Sequence, residues 1–311
     1  MTKHTVLMLE TIADNAMEML EQADDVSIIW ESDLAGNESV VDGIITRGKG
    51  QVNEQLLTSL PNLKAVARCG VGLDNVDIPT ATKHQIQVLN TPGENSATIA
   101  EHTISLLLML VRHLYSSIND TKSGNWESRK NFGGDEIRGK TLGLLGMGNI
   151  GSQVAKMAEL FGMKVIYANL DKVDVPYEYV TIDELIQQSD VISIHLPLTK
   201  STSKMVDDSF LSKMKEGSYL INTARGGIID EEALVEALNS GHIAGFAADV
   251  LAVEPPADNH PLVIHPSTLI TAHVGSLTKL TFENMCVLSV ENILSLLRGD
   301  YVDRKYRFNE V

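Results

Sequence analysis

The sequence predicts an α/β protein built from two doubly wound parallel-sheet domains. The chain has 311 residues, beyond the size at which one hydrophobic core usually keeps growing. Short β-rich runs alternate with helical stretches in two separate series, the rhythm of βα units. The second series opens on a glycine-rich turn set directly between an apolar strand and a helix.

The first series runs from residue 5 to 90, with strands expected at TVLML, DVSIIW, DGIITR, LKAVAR and IQVLN. Helical segments such as TIADNAMEMLEQA and NEQLLTSL separate them. A long amphipathic helix is expected over 98–118, opened by a capping box because Thr98 precedes Glu101 by three residues. The polar segment SGNWESRKNFGGDEIRGK follows it. The second series comprises TLGLLG, KVIYA, DVISIHL, SYLINTA, IAGFAADV and TLITAH, with helices such as DEEALVEALNSG between them. FENMCVLSVENILSLLRG has helical spacing and returns the chain to the first domain, so the domains are expected at 1–100 with 285–311, and at 101–284.

Composition excludes several classes of function. Lys and Arg number 25 against 41 Asp and Glu, a net charge of −16, which repels a nucleic-acid backbone. Cys69 and Cys286 stand far apart and form no C-x-x-C pair, so neither a disulfide framework nor a metal site is expected. Four apolar residues before Glu10 are too few for a signal-peptide core. The run ISLLLMLV at 104–111 is too short to span a membrane. A soluble, cytoplasmic protein without membrane partners is the expectation.

Gly146, Gly148 and Gly151 form G-x-G-x-x-G between the strand TLGLL and the helical SQVAKMAELFG. The first glycine permits the tight turn, the second lets a pyrophosphate approach the backbone, and the third lets helix and strand pack closely. Asn169 closes the next strand, eighteen residues after Gly151, where an acidic residue would hold the adenosine ribose. Its carbonyl oxygen still accepts from a ribose hydroxyl, but the charge that repels a 2′-phosphate is absent. NAD is therefore the expected cofactor, with NADP left open. Asp171 and Lys172 follow two and three residues later, as alternative ribose or phosphate partners or as solvated loop residues.

Further along, LINTARGGIIDEEALVEAL, ADVLAVEPP and TAHVGS join RCGVGLDNVDI and GMGNIG in one order. Together they resemble the D-isomer-specific 2-hydroxyacid dehydrogenase family over nearly the whole chain. The resemblance implies a Rossmann cofactor domain, 101–284, inserted into a discontinuous flavodoxin-like substrate-binding domain, 1–100 and 285–311. It implies Arg225, Glu254 and His273 as the catalytic set. Reduction of a 2-oxo acid needs hydride at the carbonyl carbon and a proton at its oxygen, and an imidazolium suits the second task near neutral pH. His273 would be that acid, Glu254 would fix its ring, and Arg225 would hold the substrate carboxylate with a planar charged fork.

By the same resemblance, Asn149 and Ile150 line the pyrophosphate and Thr223 and Ala224 border the cofactor. Asp249 holds the nicotinamide carboxamide, Gly275 lies close by, and His195 and Pro197 lie near the adenosine half. The CGVG loop offers the backbone N–H groups of Val71 and Gly72, with little side chain in the way, to a substrate carboxylate. Arg47 and Arg68 end two strands and resemble basic positions of phosphoglycerate dehydrogenases. They suggest a substrate with a second anionic group, of the 3-phosphoglycerate or sulfolactate type, or else are surface ion pairs.

The sequence stops soon after the last helix, so the C-terminal regulatory domain of long phosphoglycerate dehydrogenases is not expected. A homodimer is expected, through the arm around Trp126. Two alternatives stand beside this reading. One is an NADPH-using glyoxylate or hydroxypyruvate reductase, and the other is a dinucleotide-sensing, corepressor-like binding protein.

Overall fold

The computed structural model describes residues 3–311. In chain order the first elements are β1 (His4–Met8), α1 (Asp14–Glu21), β2 (Val26–Trp30), β3 (Gly43–Thr46), α2 (Glu54–Ser59), β4 (Ala65–Arg68), α3 (Ile78–Lys83) and β5 (Gln87–Leu89). Next come α4 (Ser96–Val111), α5 (Leu114–Lys122), β6 (Thr141–Leu145), α6 (Asn149–Leu160), β7 (Lys164–Ala168), β8 (Glu178–Tyr179), α7 (Ile182–Gln188) and β9 (Val191–Ile194). The chain closes with α8 (Asp208–Lys213), β10 (Ser218–Asn222), α9 (Glu231–Asn239), β11 (Ile243–Ala248), α10 (Pro261–Ile264), β12 (Thr268–Ile270) and α11 (Lys279–Arg298). Two compact units result, one of residues up to Asn95 with Leu277–Val311, the other of Ser96–Ser276.

In the first unit five strands pair in parallel in the order β2-β1-β3-β4-β5. This is the flavodoxin-like order, with its switch point between β1 and β3. β3 (GIIT) is buried along its whole length, as a parallel strand covered on both faces must be. One cover is α11, which sets Cys286, Val290, Ile293 and Leu297 into a core shared with Ala65, Ala67 and Leu89. By length and composition α11 is apolar enough to cross a membrane, and half of it is buried inside the protein.

In the second unit seven parallel strands take the order β12-β11-β10-β9-β6-β7-β8. Counted from β6, this is the doubly wound dinucleotide-fold order 3-2-1-4-5-6, extended by one edge strand. Helices cover both faces. Leu107, Val154 and Tyr167 belong to one core, and Leu185, Leu211, Leu234 and Phe246 to the other. The order reverses between β6 and β9, so Gly146 and His195 follow the two strand ends where a ligand is expected.

Three sequence expectations need correction. The single helix at 98–118 is two helices, broken at His113, which takes a left-handed φ of 49°. The buried face of α4 ends at Val111 and α5 buries no residue, so the helical pattern outruns the core that would keep one helix straight. Because α4 starts at Ser96, Thr98 lies inside the helix and cannot cap it. A capping box does form at Thr181, whose hydroxyl accepts from Glu184 N while the Glu184 carboxylate accepts from Thr181 N. Finally, the units divide at 95/96 and 276/277 rather than 100/101 and 284/285, since the expected boundaries fall inside α4 and α11.

Candidate active site

The glycine-rich turn is shaped by steric need. Gly146 has φ +100°, and a Cβ there would lie 2.6 Å from the carbonyl oxygen of His195. A Cβ at Gly151 would lie 2.2 Å from the carbonyl oxygen of Gly146, so this glycine sets how closely α6 approaches β6. At Gly148 a Cβ would meet nothing within 4 Å. That open space lies at the N-terminus of α6, whose N-cap Gly148 supplies no side-chain hydrogen bond. Unpaired N–H groups beside open space fit a pyrophosphate. Asn149 is exposed and Ile150 partly buried on the same first turn.

Asn169 follows β7, and its amide nitrogen donates to the carbonyl of Asp171 at 3.1 Å. The amide is thereby oriented, with Oδ1 as its remaining acceptor. The Asp171 and Lys172 side chains are exposed. His195 follows β9, its Nε2 lies 2.9 Å from the Ser193 hydroxyl, and burial lowers its pKa from 6.5 to about 4. Pro197 is exposed, and its carbonyl accepts from the Thr202 hydroxyl.

Arg225 follows β10 in a turn that Asn222 organises. The buried Asn222 side chain accepts from Ala224 N at 3.0 Å and donates to the Arg225 carbonyl at 2.9 Å. The guanidinium donates to the Ala224 carbonyl at 2.7 Å. Thr223 is buried, with its hydroxyl 2.8 Å from that of Thr103 on α4. Asn222 and Thr103 were missed by the sequence reading, because a polar residue inside an apolar run carries no signal of what it will hold.

Glu254 and His273 meet. One carboxylate oxygen lies 2.7 Å from His273 Nδ1 and the other accepts from Leu251 N at 2.9 Å. His273 takes a left-handed φ of 53°, and its ring is about half exposed. Asp249 follows β11 and is 4% exposed. Its carboxylate accepts from the Thr271 hydroxyl at 2.6 Å, Val274 N at 2.9 Å and Gly275 N at 2.8 Å. Burial alone would raise its pKa, but bonds from His102, Thr271, Gly275 and Val274 outweigh it and leave the pKa lowered.

The remaining expected residues lie in the first unit. The Arg47 guanidinium donates to the Thr11 carbonyl at 3.1 Å and stacks 4.7 Å from the Phe282 ring centre. The loop after β3 wraps around Glu10, whose carboxylate accepts from the backbone N–H groups of Arg47, Lys49 and Gly50 at 2.8–2.9 Å. Arg47 is thus held by contacts within its own unit. Arg68 folds over Gly70 and donates to the Cys69 carbonyl. Val71 and Gly72 follow on that loop, which is pinned by the Asn90 side chain donating to the Val71 carbonyl at 2.8 Å. Cys69 and Cys286, distant in sequence, are buried in one core cluster as free thiols.

Residues 104–275 match the family model described as D-isomer specific 2-hydroxyacid dehydrogenase, NAD binding domain. The cofactor of this domain is NAD(H). The chain is 38% identical to hydroxypyruvate reductase of Thermotoga maritima, over 96% of this chain and 99% of that protein. It is also 38% identical to D-3-phosphoglycerate dehydrogenase of Bacillus subtilis, over 94% of this chain but only 57% of that longer protein. In structure it resembles a glyoxylate reductase from Paecilomyes thermophila, with a TM-score of 0.87, 32% identity and coverage of 100% and 99%. The chain belongs to the D-isomer specific 2-hydroxyacid dehydrogenase family.

Proposed function

We propose that the protein interconverts a small D-2-hydroxy acid and its 2-oxo acid, with Arg225, Glu254 and His273 as the catalytic set. The Glu254–His273 contact of 2.7 Å carries this reading, because it fixes one ring nitrogen and leaves the other as the proton-exchanging atom. Glu254 is anchored to Leu251 N and accepts the Nδ1 proton, so the ring keeps one orientation. His273 Nε2 then gives a proton to the carbonyl oxygen during reduction and takes it back from the hydroxyl during oxidation. When bound, NAD(H) would supply or accept the hydride at the neighbouring carbon. Arg225, steadied by the Ala224 carbonyl and by Asn222, holds the substrate carboxylate.

The cofactor assignments extend this reading to Gly146, Gly148, Asn149 and Ile150 at the pyrophosphate and Asn169 at the ribose. His195 and Pro197 are assigned to the adenosine half, and Thr223, Ala224, Asp249 and Gly275 to the rest of the cofactor. The second anionic group suggested by Arg47 and Arg68 has weaker support, because the Arg47 guanidinium is engaged by Thr11 and Phe282. A homodimer through the arm around Trp126 draws support from that ring's 62% exposure. A cytoplasmic place belongs to the same reading.

The test is a panel of 2-oxo and 2-hydroxy acids, including glyoxylate, hydroxypyruvate and 3-phosphoglycerate, assayed with both NAD(H) and NADP(H). Turnover of at least one pair with NAD(H) is expected. Tight NADH binding without turnover of any acid would replace the enzyme reading with that of a dinucleotide sensor.

A further inference from the structure

His273 must hold an unfavourable backbone conformation, since a left-handed φ costs a non-glycine residue free energy that its surroundings have to offset. The offset centres on Asp249. Its backbone carbonyl accepts from His273 N at 2.9 Å, and its two carboxylate oxygens accept from Val274 N and Gly275 N. Three successive amides of the loop therefore close around one residue. The fit is tight: a Cβ on Gly275 would lie 2.8 Å from the Asp249 carboxylate and 3.4 Å from the His102 ring.

Asp249 is itself held from behind. The Thr271 hydroxyl has one proton, and at 2.6 Å it is given to Asp249 Oδ1. The Thr271 hydroxyl oxygen must then accept from His102 Nε2, which lies 3.0 Å away on α4. His102 Nε2 also lies 3.5 Å from Asp249 Oδ1, so the ring braces hydroxyl and carboxylate together. α4 is a rigid base for this, because Leu106, Leu107, Leu110 and Val111 are buried in the core of the unit.

We infer that His102 and Thr271 are positioning residues for the proposed acid: they orient the Asp249 carboxylate, which fixes the backbone of the loop that carries His273. The inference rests on the dehydrogenase reading for its effect on turnover, and on the geometry alone for its effect on the loop. Neither residue touches the His273 ring. Both act through Asp249, and their loss lets the loop relax away from its left-handed turn. Glu254 still bonds the ring in that case, but the ring no longer sits where the proton must be delivered. A displacement of about 1 Å at such a site costs roughly a hundredfold in rate.

Thr271→Val keeps the shape and removes the hydroxyl, and Thr271→Ser restores it. His102→Ala removes the ring, and His102→Gln returns an N–H donor at about the same reach. Two measurements are read together. Hydrogen exchange of the peptide spanning 271–276 should quicken about tenfold in T271V and H102A and stay near wild type in T271S and H102Q. In the same pairs, kcat should fall about 10–100-fold and then recover, while KM for the 2-oxo acid changes less than about threefold. Unchanged exchange in both T271V and H102A overturns the inference, even if kcat falls. KM for the 2-oxo acid that rises in step with the fall in kcat also overturns it, because the residues would then be holding substrate. If H102A does not fold, the T271V and T271S pair decides. Absence of turnover in the wild-type protein refutes the proposed reaction, while the exchange measurement still decides the loop.

Discussion

Glu254 holds His273 Nδ1 with one oxygen at 2.7 Å and the backbone of Leu251 with the other at 2.9 Å. The proposed acid and its orienting group are thus locked to the segment that follows β11. Removing the imidazole should remove the proton donor while leaving the glycine-rich turn untouched. His273→Asn is expected to lower kcat by roughly 10²–10⁴, the usual range for general acid catalysis, with NADH affinity near wild type. Glu254→Gln keeps a group of the same shape without charge and should give a smaller loss. Steady-state kinetics with NADH titration check both, and an unchanged kcat in H273N would remove His273 from the mechanism.

The glycine-rich turn gives a second expectation. Gly151→Ala drives a Cβ to 2.2 Å from the Gly146 carbonyl, a distance real Cβ contacts do not adopt, so α6 must shift. Gly146→Ala adds a strained φ of +100° to a 2.6 Å clash with the His195 carbonyl. Either change should weaken NADH binding about tenfold or more by fluorescence titration. The first unit, which contains neither residue, should keep its own exchange protection. Wild-type NADH affinity in both variants would move the dinucleotide elsewhere.

His195 makes stability depend on pH. Burial lowers its pKa to about 4 from 6.5, so on acidification the unfolded chain takes up a proton first. Its contribution is fully present above pH 6.5 and is lost as the pH falls towards 4. The urea midpoint should therefore decline across that window. His195→Gln retains a polar contact to Ser193 without a titrating ring, and it should flatten this limb. An identical decline in wild type and variant would show that other groups carry it.

What the sequence made legible depended on how local the signal was. The strands of both sheets are short apolar runs bounded by turns, and the glycine-rich turn needs only its two neighbours to be read. His273 and Glu254 became readable through whole motifs, since a histidine after an apolar strand looks the same at His195 and at His273. What stayed hidden is long-range. Arg47 ends its strand as expected, but its contacts with Thr11 and Phe282 lie 36 and 235 residues away in sequence. His102 lies in a helix whose pattern reports only burial, and its partner Thr271 is 169 residues on. The break at His113 depends on where the core ends, which no local pattern records.

Cofactor choice follows from the orientation of Asn169. One N–H of its NH₂ group is given to the Asp171 carbonyl at 3.1 Å, which orients the amide and leaves Oδ1 and the second N–H to meet the adenosine ribose in the proposed site. A ribose 2′-hydroxyl can donate to Oδ1, whereas a 2′-phosphate can be met here only by the one remaining N–H. The neutral amide thus accepts from the ribose hydroxyl of NAD, and supplies neither a cation for a 2′-phosphate nor the charge repulsion an aspartate would add. Asn169→Asp should add that repulsion and raise the ratio of kcat/KM for NADH over NADPH about tenfold. The new carboxylate cannot donate to the Asp171 carbonyl, so the 169–172 loop should loosen and the absolute affinity for NADH should gain less than the ratio does. Paired titrations of NADH and NADPH against both proteins check the two effects separately. An unchanged ratio would mean that the ribose is read by another residue, with Asp171 the nearest carboxylate in the chain to examine next.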